Sequence, residues 1–333
     1  MSERPPLTYA ESGVSLDAAD AVVDRLRAAV DSTRTPLVLG SLGGFAGLIS
    51  ASKFVDPVLA AGTDTVGSKM LLQRQTGRLR ELGIDLVAMS VNDVITCGAE
   101  PVLFLDCISI GRLDTERIAQ LVEGVADGCR QAGCALLGGE TAEMPDLYGP
   151  DDFDVAGFAV GVAERRRLVG GARVEAGDAV IGLASTGVHS NGFTLVRRLL
   201  ERAAVDPASA PDGLLAPTRI YAAAVKELIR LVDVRAMAHV TGGGIPGNLP
   251  RVLPSGLGAR LELASWPRPE VFPWLAALGV EEDEMRRVFN LGLGYLVVVP
   301  ASEADEAIRV AGTVGYTAYR VGEIVRGDGV ELV

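Results

Sequence analysis

Five charged side chains stand where their neighbours do not favour charge. Asp64 and Lys69 bound the polar run DTVGSK just after an apolar stretch. Asp93 interrupts LVAMSVNDVITC, Asp106 interrupts VLFLDCIS, and Glu140 follows two glycines at the exit of CALL. A lone carboxylate in apolar surroundings is costly unless it is paired or holds a cation. Hard divalent ions, Mg2+ above all, are bound by one or two such carboxylates together with substrate phosphates. Each acid taken singly could equally cap a helix or meet an arginine; four of them in one half of the chain point to a metal–phosphate centre. Lys69 adds to this, because only 3 of the 31 basic residues are lysines (Lys53, Lys69 and Lys226).

The chain has 2 histidines, and both sit beside glycine: His189 in STGVHSNGFT and His239 in AHVTGGG. The first run reads as strand, Ser/Thr/Gly loop and amphipathic helix, with Ser190 or Asn191 as the expected N-cap. Free backbone N–H groups and the helix dipole make such a terminus a place for an anion, with an ordinary cap as the alternative. AHVTGGG repeats the arrangement more loosely. SLGGFAG, near residue 45, has no Gly-Lys-Ser/Thr to close a phosphate loop; it is either a turn or a lid.

These residues need elements to hold them. Apolar residues at helical spacing predict a helix over 15–31, a second within GIDLVAMSVNDVITC stopped by Gly98 and Pro101, a third over about 114–132 and a fourth near 218–232. DPVLAAG, PVLFLDCISIG, CALL, DFDVAGFAVGVAE, DAVIGLAS and LGYLVVVP read as strands. The pattern breaks into charge and glycine at RRRLVGGARVEAGD, so a domain boundary is placed there: 1–168 and 169–333. The fold class is mixed α/β (α+β) with two domains. A chain of 333 residues is long for one core.

Composition narrows the function. A net charge of −12 and a pI near 4.8 argue against nucleic acid or an anionic membrane as a main partner. The four cysteines (Cys97, Cys107, Cys129 and Cys134) lack zinc-like spacing and suit a reducing compartment. No apolar run is long enough to span a bilayer, and MSERPPLTYAESG has no signal-peptide core. The expectation is a soluble, cytoplasmic protein.

Together SLGGFAGL, GTDTVGSK, GIDLVAMSVNDVITCGAEPVLFLD, GGETAEMPDLY, DVAGFAVGV, STGVHSNGFTLVR, LLAPTRIY, HVTGGG and MRRVFNLGLGY resemble the phosphoribosylformylglycinamidine cyclo-ligase (aminoimidazole ribonucleotide synthetase) family, in register over nearly the whole chain. Its wider superfamily includes selenophosphate synthetase and thiamine-phosphate kinase. Three positions depart from the family's usual pattern: Thr65 and Ser68 replace Gly and Thr, and Leu291 stands where cysteine is common. The resemblance implies ATP-dependent closure of formylglycinamidine ribonucleotide to 5-aminoimidazole ribonucleotide, with release of ADP and phosphate, through phosphorylation of the formyl amide oxygen. It also implies a homodimer that pairs N-terminal sheets, with ATP and metal in the N-terminal domain and substrate in a C-terminal α/β sandwich domain.

Residue by residue, it implies that Asp64, Asp93 and Glu140 hold Mg2+ and that Gly43, Gly44 and Phe45 form a mobile lid. Asn92 would join Asp64, Lys69 and Asp93 at the nucleotide. Ser190, Asn191 and Gly192 would take the substrate's phosphate, and Lys69, Asp106 and His189 would serve the chemistry, with a loop-shaping role as the alternative for His189. A small-molecule kinase of the same superfamily and a non-catalytic nucleotide-binding protein are the competing readings.

Overall fold

A computed structural model describes residues 16–40 and 46–333 of the chain. Gly43, Gly44 and Phe45 of the expected lid lie outside the described residues. In chain order the first half runs α1 (Leu16–Asp31), β1 (Val38–Leu39), β2 (Leu48–Ile49), β3 (Pro57–Thr65), α2 (Lys69–Gln75), α3 (Leu79–Val94), β4 (Glu100–Ile110), α4 (Thr115–Ala132), β5 (Ala135–Glu143) and β6 (Phe153–Glu164).

The four long strands form a sheet in the order β3-β6-β4-β5, with only β4 and β5 parallel. Alternation sends Phe104, Ile108, Val155 and Ala159 towards α3 and α4. The other face stays open and is apolar in part: Leu59 is 70% exposed, Phe158 43% and Leu105 37%. Asp114 caps α4 by accepting from the N–H groups of Glu116 and Arg117, and Gly133 ends it in the left-handed conformation.

The second half runs β7 (Ala179–Ala184), α5 (Phe193–Ala203), α6 (Ala222–Leu231), β8 (Ala236–His239), α7 (Gly244–Asn248), β9 (Leu257–Leu261), α8 (Val271–Ala277), α9 (Glu282–Val288), β10 (Leu293–Val299), α10 (Ala304–Thr313), β11 (Ala318–Arg326) and β12 (Val330–Leu332). Its six-stranded sheet has the order β12-β9-β11-β7-β10-β8. β10 is buried along its whole length, as its unbroken apolar sequence requires.

Helices lie on both faces of this sheet. On one, Val225 and Leu228 of α6 and Val310 of α10 join Ile181 and Val297 in a core continuous with Leu86, Val91 and Phe104 of the first half. On the other, Val196 and Leu200 of α5 pack with Val180, Leu296 and Phe289. The two sheets therefore share one apolar layer across their seam.

The helix expected near 218–232 begins only at Ala222. Residues 216–221 stay outside the helix because their backbone bonds elsewhere: Thr218 N–H to Asp85, Tyr221 N–H and Arg219 C=O to Asn92. α2 had no sequence signal; it is short and has no side-chain cap bond.

Candidate active site

One row of the first sheet carries two of the expected acids. Asp64 on β3 lies opposite Gly157 on β6, Gly157 opposite Asp106 on β4, and Asp106 opposite Gly139 on β5. Residues directly opposite share a face, so all four turn towards α3 and α4. Two interstrand spacings put the backbones of Asp64 and Asp106 about 10 Å apart. The glycines make room: a Cβ on Gly139 would fall 2.1 Å from Asp106 Oδ1, and one on Gly157 2.5 Å from Phe104.

Asp106 is 8% exposed, and burial raises its carboxyl from the ordinary 3.8 to about 7, opposed only by its own backbone N–H. It is a neutral or half-neutral acid at physiological pH. Asp64 is also raised, first by burial, against the hydrogen bond from Thr65 N–H at 2.7 Å; the nearby negative charge of Asp93 adds to the rise.

Asp93, on the last turn of α3, is half-exposed and meets the second half of the chain. Its Oδ1 lies 2.8 Å from Nδ1 of His239, at the end of β8. Nδ1–H donates to the carboxylate, and the buried Nε2 has no partner among the described residues. Asp64, Asp93 and His239 thus form one cluster across the seam.

Lys69, expected at the nucleotide, has its ammonium inside the fold. Its side chain is fully buried, and its ammonium lies 2.9 and 2.8 Å from the two oxygens of Asp85 and donates to Ala216 C=O at 2.8 Å. Burial lowers its pKa, against the attraction of Asp85. Asp85, one side chain from the middle of α3, also accepts from Gln73 Nε2 (2.7 Å), Ser190 Oγ (3.0 Å), Thr218 N–H (2.7 Å) and Thr218 Oγ1 (2.6 Å). This carboxylate escaped the sequence reading. The one available signal was its position: Asp85 interrupts a helix whose flanking residues, from Leu82 to Val87, are otherwise apolar or glycine.

Asn92 is likewise occupied by structure. Its Nδ2 donates to Arg219 C=O (2.8 Å) and its Oδ1 accepts from Tyr221 N–H (3.0 Å), so both amide atoms hold backbone partners.

The loop of residues 185–192 holds its histidine inward. His189 has φ +65° and is 1% exposed. Its Nε2 accepts from the N–H groups of Thr186 (3.2 Å) and Arg219 (3.5 Å), so the proton resides on Nδ1, which has no partner among the described residues. Burial holds its pKa well below the ordinary value, and the ring is neutral. The ring rests over Gly294, where a Cβ would fall 2.3 Å from Cε1. Tyr221 and Tyr295 lie tilted between the two histidines, with centroid separations of 6.4, 5.2 and 6.3 Å from His189 through to His239.

The expected N-cap is corrected. Gly192, with φ +79°, occupies that position of α5 without a side-chain cap bond. Ser190 turns its hydroxyl instead to Asp85 and Thr218, because a buried carboxylate is the stronger acceptor. Asn191 remains half-exposed, and its Oδ1 lies 3.5 Å from the point where a Cβ on Gly242 would stand. The two glycine loops therefore converge.

Glu140 does not join the other acids. Opposite Cys107, it shares the open face with Leu105 and is exposed, whereas Asp64 and Asp106 face the helices. No group of three His, Cys, Asp or Glu side chains suited to a metal occurs among the described residues. Asp64 and Asp93 still fit a hard divalent ion, since two carboxylates with substrate phosphates suffice for Mg2+. Of the departures from the family pattern, Ser68 bonds Thr194 of α5 at 3.1 Å and Leu291 is buried at φ +55°.

The fold and this seam define a class. Family profiles described as "AIR synthase related protein" match the N-terminal domain at residues 48–163 and the C-terminal domain at residues 175–333. The phosphoribosylformylglycinamidine cyclo-ligase of Synechococcus sp. (strain RCC307) is 49% identical, over 97% of this chain and 98% of its own length. The chain belongs to the phosphoribosylformylglycinamidine cyclo-ligase family. Among solved structures, thiamine-monophosphate kinase from Stenotrophomonas maltophilia K279a shares the fold (TM-score 0.72, 21% identity, 94% of this chain and 95% of that one). So does hydrogenase maturation protein HypE, solved in complex with ATP (TM-score 0.67, 20% identity, 95% and 88%).

Proposed function

We infer that this chain closes formylglycinamidine ribonucleotide to 5-aminoimidazole ribonucleotide at the expense of ATP, in purine biosynthesis. Full-length kinship at 49% identity carries the reading. An amide oxygen leaves poorly; phosphorylating it makes an iminophosphate, and attack by the ribose-linked amidine nitrogen then closes the ring as phosphate departs. The burden on the protein is positioning and charge neutralisation.

Asp64 and Asp93 would hold Mg2+, which supplies neutralisation of the nucleotide's phosphates when bound. Thr65 N–H fixes one oxygen of Asp64 and His239 fixes one oxygen of Asp93, so each carboxylate keeps a preset direction. Asp106, raised to about 7, is suited to donate a hydrogen bond or to exchange a proton near neutral pH. Asn191 and Gly192, beside Gly242, would take the substrate's phosphate. Ser190 supports them through Asp85, and Lys69 neutralises Asp85. His189, neutral and bound to two backbone amides, shapes its loop.

The partly apolar open face bearing Leu59, Leu105 and Phe158 would pair with a second copy, with Glu140 on that face at the subunit boundary. Division of the chain near residue 168 and residence in the cytoplasm complete the reading; no described helix is long and apolar enough to cross a membrane.

The test supplies formylglycinamidine ribonucleotide, ATP and Mg2+. One ADP and one aminoimidazole ribonucleotide per turnover are expected, whereas ADP released without the cyclised product contradicts the reading.

A further inference from the structure

A crevice of about 390 Å³ opens between the halves at the end of the first sheet remote from Asp64 and Asp106. The register sets its place: Pro57 lies opposite Glu164 and Glu100 opposite Val162, seven residues along β3 from Asp64. That is about 23 Å of strand. One wall is β4, β6 and the end of α4; the other is α6. The floor is apolar, formed by Ile95, Pro101, Val162, Val225 and Ile229.

Its rim is basic in a chain of net charge −12. Arg130 and Arg230 are paired with Asp127 and Glu227. The exposed side chains of Arg167 and Lys226 make no hydrogen bond or ion pair among the described residues; beside the N–H bonds from Val55 and Asp56, the Arg167 charge helps to lower the carboxyl of Glu164 on the same rim. The two carboxylates on the rim are already engaged: Glu100 with Lys53 at 2.6 Å, and Glu164 with the N–H groups of Val55 and Asp56 at 2.8 and 3.0 Å. A larger cavity beside α2 and α5 lacks this feature, since its Arg74 and Arg117 meet Asp152 and Asp151.

We propose that this crevice binds a small phosphate monoester carrying a flat aromatic ring, of nucleoside-monophosphate size, at a site separate from that of ATP. The volume lies within the usual range for small-molecule pockets. The floor takes the ring, and Arg167 and Lys226, neither held in an ion pair, match the charge of one phosphate dianion. A triphosphate would leave charge unmatched beside Glu100 and Glu164. Because Arg167 belongs to the connector between the halves and Lys226 to α6, the ligand braces the two halves against each other.

The test is calorimetric titration with AMP, the proposed ATP site first saturated with Mg2+ and a non-hydrolysable ATP analogue. One saturable site per chain is expected. Arg167→Glu with Lys226→Glu should weaken it at least about tenfold and leave turnover with saturating ATP unchanged. Ala223→Trp, which fills the crevice from the exposed side of α6, should do the same. Adenosine and inorganic phosphate should each bind at least about tenfold more weakly than AMP. The proposal is overturned if AMP titrates the charge-reversed protein like the wild type, if wild type shows no binding up to about 1 mM, or if free phosphate binds as well as AMP.

Discussion

Two charged clusters cross the seam between the halves, and they are built on opposite terms. Around Asp85 every contact is internal: Lys69, Gln73, Ser190 and Thr218 surround a carboxylate with no exposed surface. Around Asp93 the side chain stays half-exposed, with His239 on one oxygen and Asp64 nearby. The first cluster spends its charge on holding the seam. The second keeps acceptor capacity for a ligand. Charge in an apolar region therefore has two meanings here, and saturation tells them apart.

The largest effect should follow from breaking the saturated cluster. Asp85→Ala strands the Lys69 ammonium, and removing one partner of a buried pair costs about 3–5 kcal/mol. Urea denaturation of the variant should show that loss. An unchanged midpoint would mean that the cluster does not hold the seam.

Asp106 gives the next effect, through pH. In the folded chain it keeps its proton to about pH 7, whereas unfolded it ionises near 3.8. The folded state thus binds the extra proton between those values, and stability falls as pH rises through that window. The advantage is complete below about 3.8 and gone above about 7, a change of about 4 kcal/mol. Asp106→Asn should flatten the profile of melting temperature against pH over this range, measured without ligands. A profile parallel to wild type would contradict the burial argument.

Asp93→Asn isolates the open cluster. The asparagine oxygen still accepts from His239, so stability should change by less than about 1 kcal/mol. Turnover should fall roughly a hundredfold through lost charge. Equal losses in stability and turnover would place Asp93 with the saturated cluster.

Much of this was legible in the sequence, for reasons that differ by residue. Periodicity located α3, α4 and the strands β3 to β7 and β10, because burial writes itself into local order, whereas β8, β9, β11 and β12 were not read. Asp64, Asp93 and Asp106 were visible as charges in apolar runs. Asp85 was not singled out, although it is the most heavily bonded of the acids. Its partners Ser190 and Thr218 lie more than a hundred residues away, and no local pattern encodes a contact of that range. The same contact explains the late start of α6 and the loss of the expected cap on α5: long-range acceptors captured backbone and hydroxyl groups that local preference assigned to helix ends. Glu140 was drawn to the metal by its type and neighbours. The irregular pairing between Phe104 and Leu105 decides which face it takes, and that irregularity leaves no trace in composition.

The most direct measurement compares the clusters through Mg2+-dependent ATP binding by calorimetry. Asp64→Asn with Asp93→Asn should remain folded and lose that binding. Lys69→Met with Asp85→Asn, which removes the buried pair together, should keep it in whatever fraction folds. Retained binding in the first variant, with binding lost from folded protein in the second, would contradict the account.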